Sequence, residues 1–218
     1  MNDRISPARF HAAQGVSDWG VLFDAATARF ATGSFERGAA FVAEIARLAD
    51  AAGHHPDVDL RYATVTVRLF SHDITDISER DLALAQAVSQ AAADLGIAAD
   101  VVGLHAVQIA IDAADIPTVL PFWQAVTGYR RHGDDDLLDP FGRGPNIWFQ
   151  QMDPPRTGRN RIHIDLSVPR SEAPARIAAA LAAGGSIVND DNAPAWWTLA
   201  DPEGNEVDVA AWRDDSDW

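Results

Sequence analysis

Apolar positions along the chain follow two periods. Phe41, Val42, Ile45 and Leu48 recur at helical spacing and predict a long helix. Ser34 stands before it as an N-cap, Glu36 falls in its first turn, and Gly53 supplies a stop. A second stripe, Leu82, Leu84, Ala85, Val88 and Leu95, opens near Ser78 and ends at Gly96. Between the helices, Leu60–Phe70 reads with period two as one strand. Val65, Val67 and Leu69 share one face. Tyr62, Thr64, Thr66 and Arg68 share the other, and His72 continues that parity. Upstream, Ser6-Pro7 opens a short helix stopped by Gly15, and the runs Trp19–Phe23 and Ala26–Ala31 predict a hairpin. With a short strand near Ile74, the first half reads α-β-β-α-β-β-α.

The second half repeats itself. Val107–Asp112 reads as a strand, followed by a helix through Phe122, Trp123 and Val126 and then Gly128. Ile162–Val168 is again strand-like, followed by a helix from Ala173 to Ala183 and then Gly184. The turns Asp139-Pro140-Phe141-Gly142 and Asp201-Pro202-Glu203-Gly204 match, each before an apolar run, Ile147–Gln151 and Val207–Trp212. Two βαβββ modules account for this pattern. The fold class is α+β, with a first domain at 1–98 and a second at 104–213. The connection Ile97–Gly103 lacks the proline or serine of a free linker, so the halves are expected to pack. The tail Arg213–Trp218 is polar, acidic and expected to be loose.

Composition narrows the function. The chain has 218 residues, 47% of them hydrophobic and 22% charged, enough for ordinary cores. Its formal charge of -15 disfavours nucleic acid and anionic membranes as partners. It has no cysteine, which removes disulfides, zinc–thiolate sites and thiol nucleophiles and fits a reducing cytoplasm. Met1 to Gln14 holds no apolar segment of signal-peptide length, and no run is long enough for a membrane span. A cytoplasmic protein is expected.

The candidate chemistry begins at His54-His55-Pro56, just past a helix end. Pro56 biases His55 towards an extended backbone, and His72 follows the next strand. Histidine is the side chain best suited to move protons near neutral pH. Asp81 admits two readings, since Ser78-x-x-Asp81 is also a capping box. The run Asp50-x3-His54-His55-Pro56-x5-Tyr62-x9-His72-x8-Asp81 resembles the signature of the pterin-4a-carbinolamine dehydratases. Trp19, Phe41-Val42 and Ser78-Glu79-Arg80-Asp81 extend the likeness over residues 4–95.

That resemblance implies dehydration of 4a-hydroxytetrahydropterin to quinonoid dihydropterin, the recycling of a spent pterin. The implied catalytic residues are His54, His55, His72 and Asp81. His55 and His72 would be the proton carriers, and His54 would bind or orient the pterin. Asp81 would orient a histidine or simply cap its helix. Pro56 and Tyr62 would shape the substrate pocket. No cofactor is required for this reaction. The family implies a homo-oligomer, a dimer or tetramer.

The second half resembles glyoxalase-like domains of the vicinal oxygen chelate superfamily. The likeness rests on Phe122-Trp123 through Gly128, on Asn160-Arg161-Ile162-His163-Ile164-Asp165-Leu166, on Gly184-Gly185 and on Ala200-Asp201-Pro202-Glu203-Gly204-Asn205-Glu206. It implies a cupped sheet around a divalent metal. The matching positions are Gln108, Gln150, His163 and Asp208, with Glu206 on the parity of Asp208. One carboxylate, one histidine and two amides make a weaker set than the usual one. Trp148, Trp196 and Trp197 are read as core before cleft. Two alternatives to the dehydratase stand: a non-catalytic pterin-binding, small-molecule-binding or assembly module, and a metal-dependent lyase or dioxygenase in the second domain. Metal content discriminates the latter.

Overall fold

A computed structural model describes residues 3–23, 25–101, 104–155 and 162–211. The chain divides into two compact units, Met1–Ala106 and Val107–Trp218. Among the described residues, no helix is long and apolar enough to cross a membrane.

The first unit begins with α1 (Pro7–His11), whose N-cap Ser6 accepts a hydrogen bond from the Arg9 N–H. The helix ends at His11, before the expected stop, and Gly15 instead takes a left-handed conformation in the turn that follows. β1 (Trp19–Leu22) and β2 (Ala25–Ala31) form the antiparallel hairpin that their apolar runs predict. α2 (Phe35–Ala52) is capped by Ser34 and closed by Gly53 at φ 60. β3 (Asp57–Leu60), β4 (Thr64–Leu69), α3 (Glu79–Asp94) and the two-residue β5 (Ala98–Ala99) complete it. The sheet order is β1-β2-β4-β3, with β5 on β2.

The single strand expected over Leu60–Phe70 is instead a hairpin. β3 pairs antiparallel with β4, Asp57 opposite Arg68 and Leu60 opposite Val65. The chain reverses at residues 61–63, where the Arg61 N–H bonds the Thr64 carbonyl and the Ala63 carbonyl accepts from Thr32 and Gly33. The parity of Val65, Val67 and Leu69 holds, and all three are buried. Tyr62 sits at the hairpin tip, 77% exposed. The strand expected near Ile74 is a turn, closed by a bridge between Ser71 and Asp76. Leu95, read as core, is exposed because α3 has already ended at Asp94. The core packs α2 and α3 onto the sheet through Phe30, Phe41, Ile45, Val67, Leu84 and Val88.

The second unit holds two βαβββ modules, as the repeat predicts. The first is β6 (Gln108–Ala113), α4 (Ile116–Thr127), β7 (Arg130–His132), β8 (Asp136–Leu138) and β9 (Asn146–Gln151), in sheet order β6-β9-β8-β7. The second is β10 (Ile164–Val168), α5 (Ala173–Ala182), β11 (Ser186–Asn189), β12 (Trp196–Ala200) and β13 (Glu206–Ala211), in sheet order β10-β13-β12-β11. In both, the first strand runs parallel to the last. One core, including Phe122, Trp123, Phe149, Leu199 and Val209, serves both modules.

The matching turns have matching internal bonds. Asp139 accepts from the N–H groups of Phe141, Arg143 and Gly144. Burial pushes its carboxyl up, but these three donors outweigh burial and hold it below the usual range. Asp201 accepts from the N–H groups of Glu203 and Asn205, and its second oxygen receives the Trp123 indole N–H at 2.9 Å. Asn160, Arg161, Trp212 and the tail Arg213–Trp218 lie outside the described residues.

Candidate functional site

In the first unit, the end of α2 sets the direction of the histidine pair. Gly53 turns left-handed, and the His54 N–H bonds back to the Ala49 carbonyl at 3.2 Å. This Schellman closure satisfies carbonyls that the helix would leave open. It turns the chain towards the sheet, so His54 is 8% exposed while His55 faces solvent. Pro56 is half-buried and leads into β3.

His54 Nε2 lies 2.6 Å from Asp81 Oδ1, and Asp81 is fully buried. The other oxygen, Oδ2, accepts the Ser78 N–H at 2.7 Å. Ser71 Oγ stands 2.7 Å from that oxygen, and Ser78 Oγ stands 2.9 Å from it. An ionised carboxylate only accepts, so the ring's Nε2–H is the donor in this contact. Nδ1 has no protein partner among the described residues. Asp81 thus has partners on two sides. It completes the capping box of α3 and it anchors His54.

The antiparallel register of β3 and β4 decides which candidates share a neighbourhood. The start of β3 lies beside the end of β4, so His54, His55 and Pro56 arrive at the same end of the hairpin as Phe70, Ser71 and His72. Tyr62 is at the opposite end, a full strand away at about 3.3 Å per residue. As a pocket-shaping residue it is not brought to the histidines of its own chain. His72 is exposed, and its ring meets Phe70 edge-on with centroids 5.2 Å apart. The Arg68 guanidinium stands 5.0 Å from the Phe70 centroid. His55 Nε2 lies 3.0 Å from Asp50 Oδ1, both side chains open to solvent.

The turn carrying His72 is held from outside as well. Arg80 binds Asp3 at 2.8 Å and Asp73 at 2.9 Å, and Arg4 pairs with Asp76. The hydrogen bonds from Arg80 hold both Asp3 and Asp73 below the usual carboxylate range.

In the second unit, His163 Nε2 lies 3.3 Å from Asp165 Oδ1 and 3.7 Å from Asp208 Oδ2. One donor atom from each residue falls within 4.8 Å of the others. Asp165 and Asp208 are register partners on β10 and β13, and His163 has the parity of Asp165. Asp208 Oδ1 is buried without a hydrogen-bond partner among the described residues.

The first module differs. Two residues beyond Gln108, Ala110 pairs with Trp148, just as two residues beyond His163, Asp165 pairs with Asp208. The register counterpart of Asp208 is thus Trp148, and Gln150 lies two residues further on, opposite Asp112. Sequence reading missed Asp165, whose signal was its parity with His163. It also missed Ser71, whose signal was a hydroxyl directly before His72.

Comparison with known proteins agrees with this division. Residues 4–91 match the family described as pterin 4 alpha carbinolamine dehydratase. Residues 108–210 match the family described as glyoxalase-like domain. A protein of Chloroflexus aggregans, assigned by name to the pterin-4-alpha-carbinolamine dehydratases, is 41% identical over 90 residues, 40% of this chain and 95% of the relative. A solved transcriptional coactivator/pterin dehydratase from Brucella melitensis covers 41% of this chain and 98% of its own, at 25% identity and a TM-score of 0.38. A glyoxalase/bleomycin resistance protein from Albidiferax ferrireducens T118 covers 49% and 98%, at 16% identity and a TM-score of 0.40. The chain belongs to the pterin-4-alpha-carbinolamine dehydratase family, with a glyoxalase-like domain following the dehydratase-like one.

Proposed function

We propose that the domain at 1–98 dehydrates a 4a-hydroxytetrahydropterin to the quinonoid dihydropterin by histidine acid–base catalysis. In this reading a base takes the N5 proton as the C4a–O bond breaks. An acid protonates the departing hydroxyl, which leaves as water, and a double bond forms between N5 and C4a. One proton is removed and one is delivered, so no cofactor is needed. The observation that carries the reading is the buried His54–Asp81 pair at the same hairpin end as His72.

The geometry favours a division of labour different from the one the sequence suggested. His54, with a ring fixed by a buried carboxylate, suits proton transfer, and His72 is its partner. His55, exposed beside Asp50, suits binding at the mouth. Pterin is the partner, the assembly is a homo-oligomer (dimer or tetramer), and the setting is cytoplasmic.

The test is the dehydration rate of freshly generated 4a-hydroxytetrahydropterin with the full chain. His54→Ala and His72→Ala are each expected to slow it by about 100-fold. A folded protein that fails to exceed the spontaneous rate overturns the proposal.

A second reading concerns the domain at 104–213. His163, Asp165 and Asp208 fit a divalent cation in donor chemistry, since imidazole and carboxylate oxygens suit Zn²⁺ or Mn²⁺. The unpartnered Asp208 Oδ1 supports the fit. A cation held there would act as a Lewis acid towards an oxygen-bearing ligand. Titration of metal-stripped protein with Mn²⁺ or Zn²⁺ is expected to give one site per chain, lost in Asp208→Asn. No uptake by the folded protein overturns this reading.

A further inference from the structure

Asp81 uses its two oxygens on different parts of the fold. Oδ1 faces the His54 ring, and Oδ2 faces the Ser71 hydroxyl, each in a buried contact. Ser71 is the residue immediately before His72. We infer that Ser71 is a positioning residue, tying the backbone of His72 to the same carboxylate that holds the His54 ring. The two histidines are then registered on one buried anchor. The catalytic consequence rests on the dehydratase reading, but the linkage does not.

The argument begins with what fixes His72. Its ring has an edge contact with Phe70 and no hydrogen-bond partner among the described residues. Its position is therefore set by its backbone. That backbone follows β4 through Ser71, whose N–H bonds the Asp76 carbonyl at 3.0 Å and whose carbonyl accepts the Ile74 N–H at 3.2 Å. Both main-chain groups of Ser71 thus close the turn on itself. Its side chain joins the turn to α3, through Asp81 Oδ2 and through Ser78 Oγ at 2.7 Å.

The outer ion pairs to Asp73 and Asp76 are partly solvated, and pairs of that kind hold geometry weakly. The hydroxyl link is fully buried, where a charge-assisted hydrogen bond is short and directional. A shift of about 1 Å in a catalytic group costs up to 100-fold in rate. A buried bond is the sturdier of the two ways of preventing it.

Full-length Ser71→Ala, Ser71→Cys and Ser71→Thr separate this role from packing. Cysteine keeps the volume but bonds weakly, and threonine keeps the hydroxyl. The alanine and cysteine variants are expected to lower kcat about tenfold with KM within about threefold, and threonine to recover most of the loss. A hydroxyl that merely packed would lower the melting temperature without this split. Histidine ring NMR at fixed pH gives a readout free of turnover. Among the described residues Ser71 makes no hydrogen bond to an imidazole, yet Ser71→Ala is expected to move the ring signals of both His54 and His72 and to leave His55 in place. Equal rates in all four proteins, or unmoved His54 and His72 signals in folded Ser71→Ala, overturn the inference. Joint movement of those signals in a protein that does not accelerate dehydration removes the dehydratase reading and leaves the linkage standing.

Discussion

Replacing Asp81 by alanine removes more than a helix cap. A cap alone contributes about 1 kcal/mol. Here one carboxylate serves the His54 ring, the Ser78 N–H and the hydroxyls of Ser71 and Ser78, all buried. Alanine takes the acceptor from the His54 ring and the Ser78 N–H and leaves the two hydroxyls only their 2.7 Å contact with each other. The expected loss is on the order of 3 kcal/mol, read as a lower urea midpoint at unchanged slope. A loss near 1 kcal/mol would mean that only the cap matters and that His54 finds another partner. Asp81→Asn is the informative neighbour. It preserves volume, but one carboxylate oxygen becomes a donor and no longer accepts, so the His54 proton loses its fixed place.

At the scale of elements, what was legible depended on whether the signal was local. Caps and stops read well, because Ser34, Ser78, Gly53 and Gly128 act within one turn of their own helices. The β3–β4 hairpin was misread because its tip carries no glycine, proline or asparagine. Arg61-Tyr62-Ala63 keeps an apparent alternation that only the Thr64 and Ala63 carbonyl bonds reveal as a reversal. The same error misplaced Tyr62, since a continuous strand would put it on the face of Arg68. The histidines were legible from spacing. Their grouping was not, because it follows from the antiparallel pairing of Asp57 with Arg68. Asp165 was hidden for a related reason. Its neighbour Asp208 is set by a parallel register, which sequence does not print.

The segment before α1 makes a prediction at this same scale. Asp3 binds Arg80 and its carbonyl accepts the Glu79 N–H, so it straps the segment across the start of α3. Arg80 reaches Asp73 in the turn of His72. The Arg80 hydrogen bonds lower the folded values of Asp3 and Asp73. A depressed acid contributes stability above its unfolded value, about 3.9, and loses it as pH falls through the lower folded value. Amide exchange at Glu79, corrected for its intrinsic pH dependence, is therefore expected to be protected at neutral pH and to quicken below about pH 4. Arg80→Gln is expected to remove the pH dependence. Unchanged protection in that variant would show that the strap is held by the backbone alone.

At the scale of the whole molecule, the described residues form two cores, one around Phe30, Phe41 and Val67 and one around Phe122, Trp123 and Val209. Among the described residues, each holds a single buried aspartate that joins distant parts of its unit. In the first it is Asp81. In the second it is Asp201, which closes its own turn and receives the Trp123 indole of the other module. Glu203 of the same turn accepts the N–H groups of Ala114 and Asp115 at the start of α4. The Asp-Pro-Glu-Gly turn is thus a clasp between modules, which explains its place in the fold without a catalytic role. If each core is its own cooperative unit, calorimetry of the full chain gives two transitions. Asp201→Ala is then expected to lower one, by on the order of 3 kcal/mol, and Asp81→Ala the other. A divalent cation held by His163, Asp165 and Asp208 would raise the Asp201-sensitive transition alone, by about 2.7 kcal/mol at a hundredfold excess over Kd. A single transition moved by both substitutions would mean that the two units fold as one. Cation binding would then stabilise the histidine site as well, and the appended domain would be coupled to the first through stability.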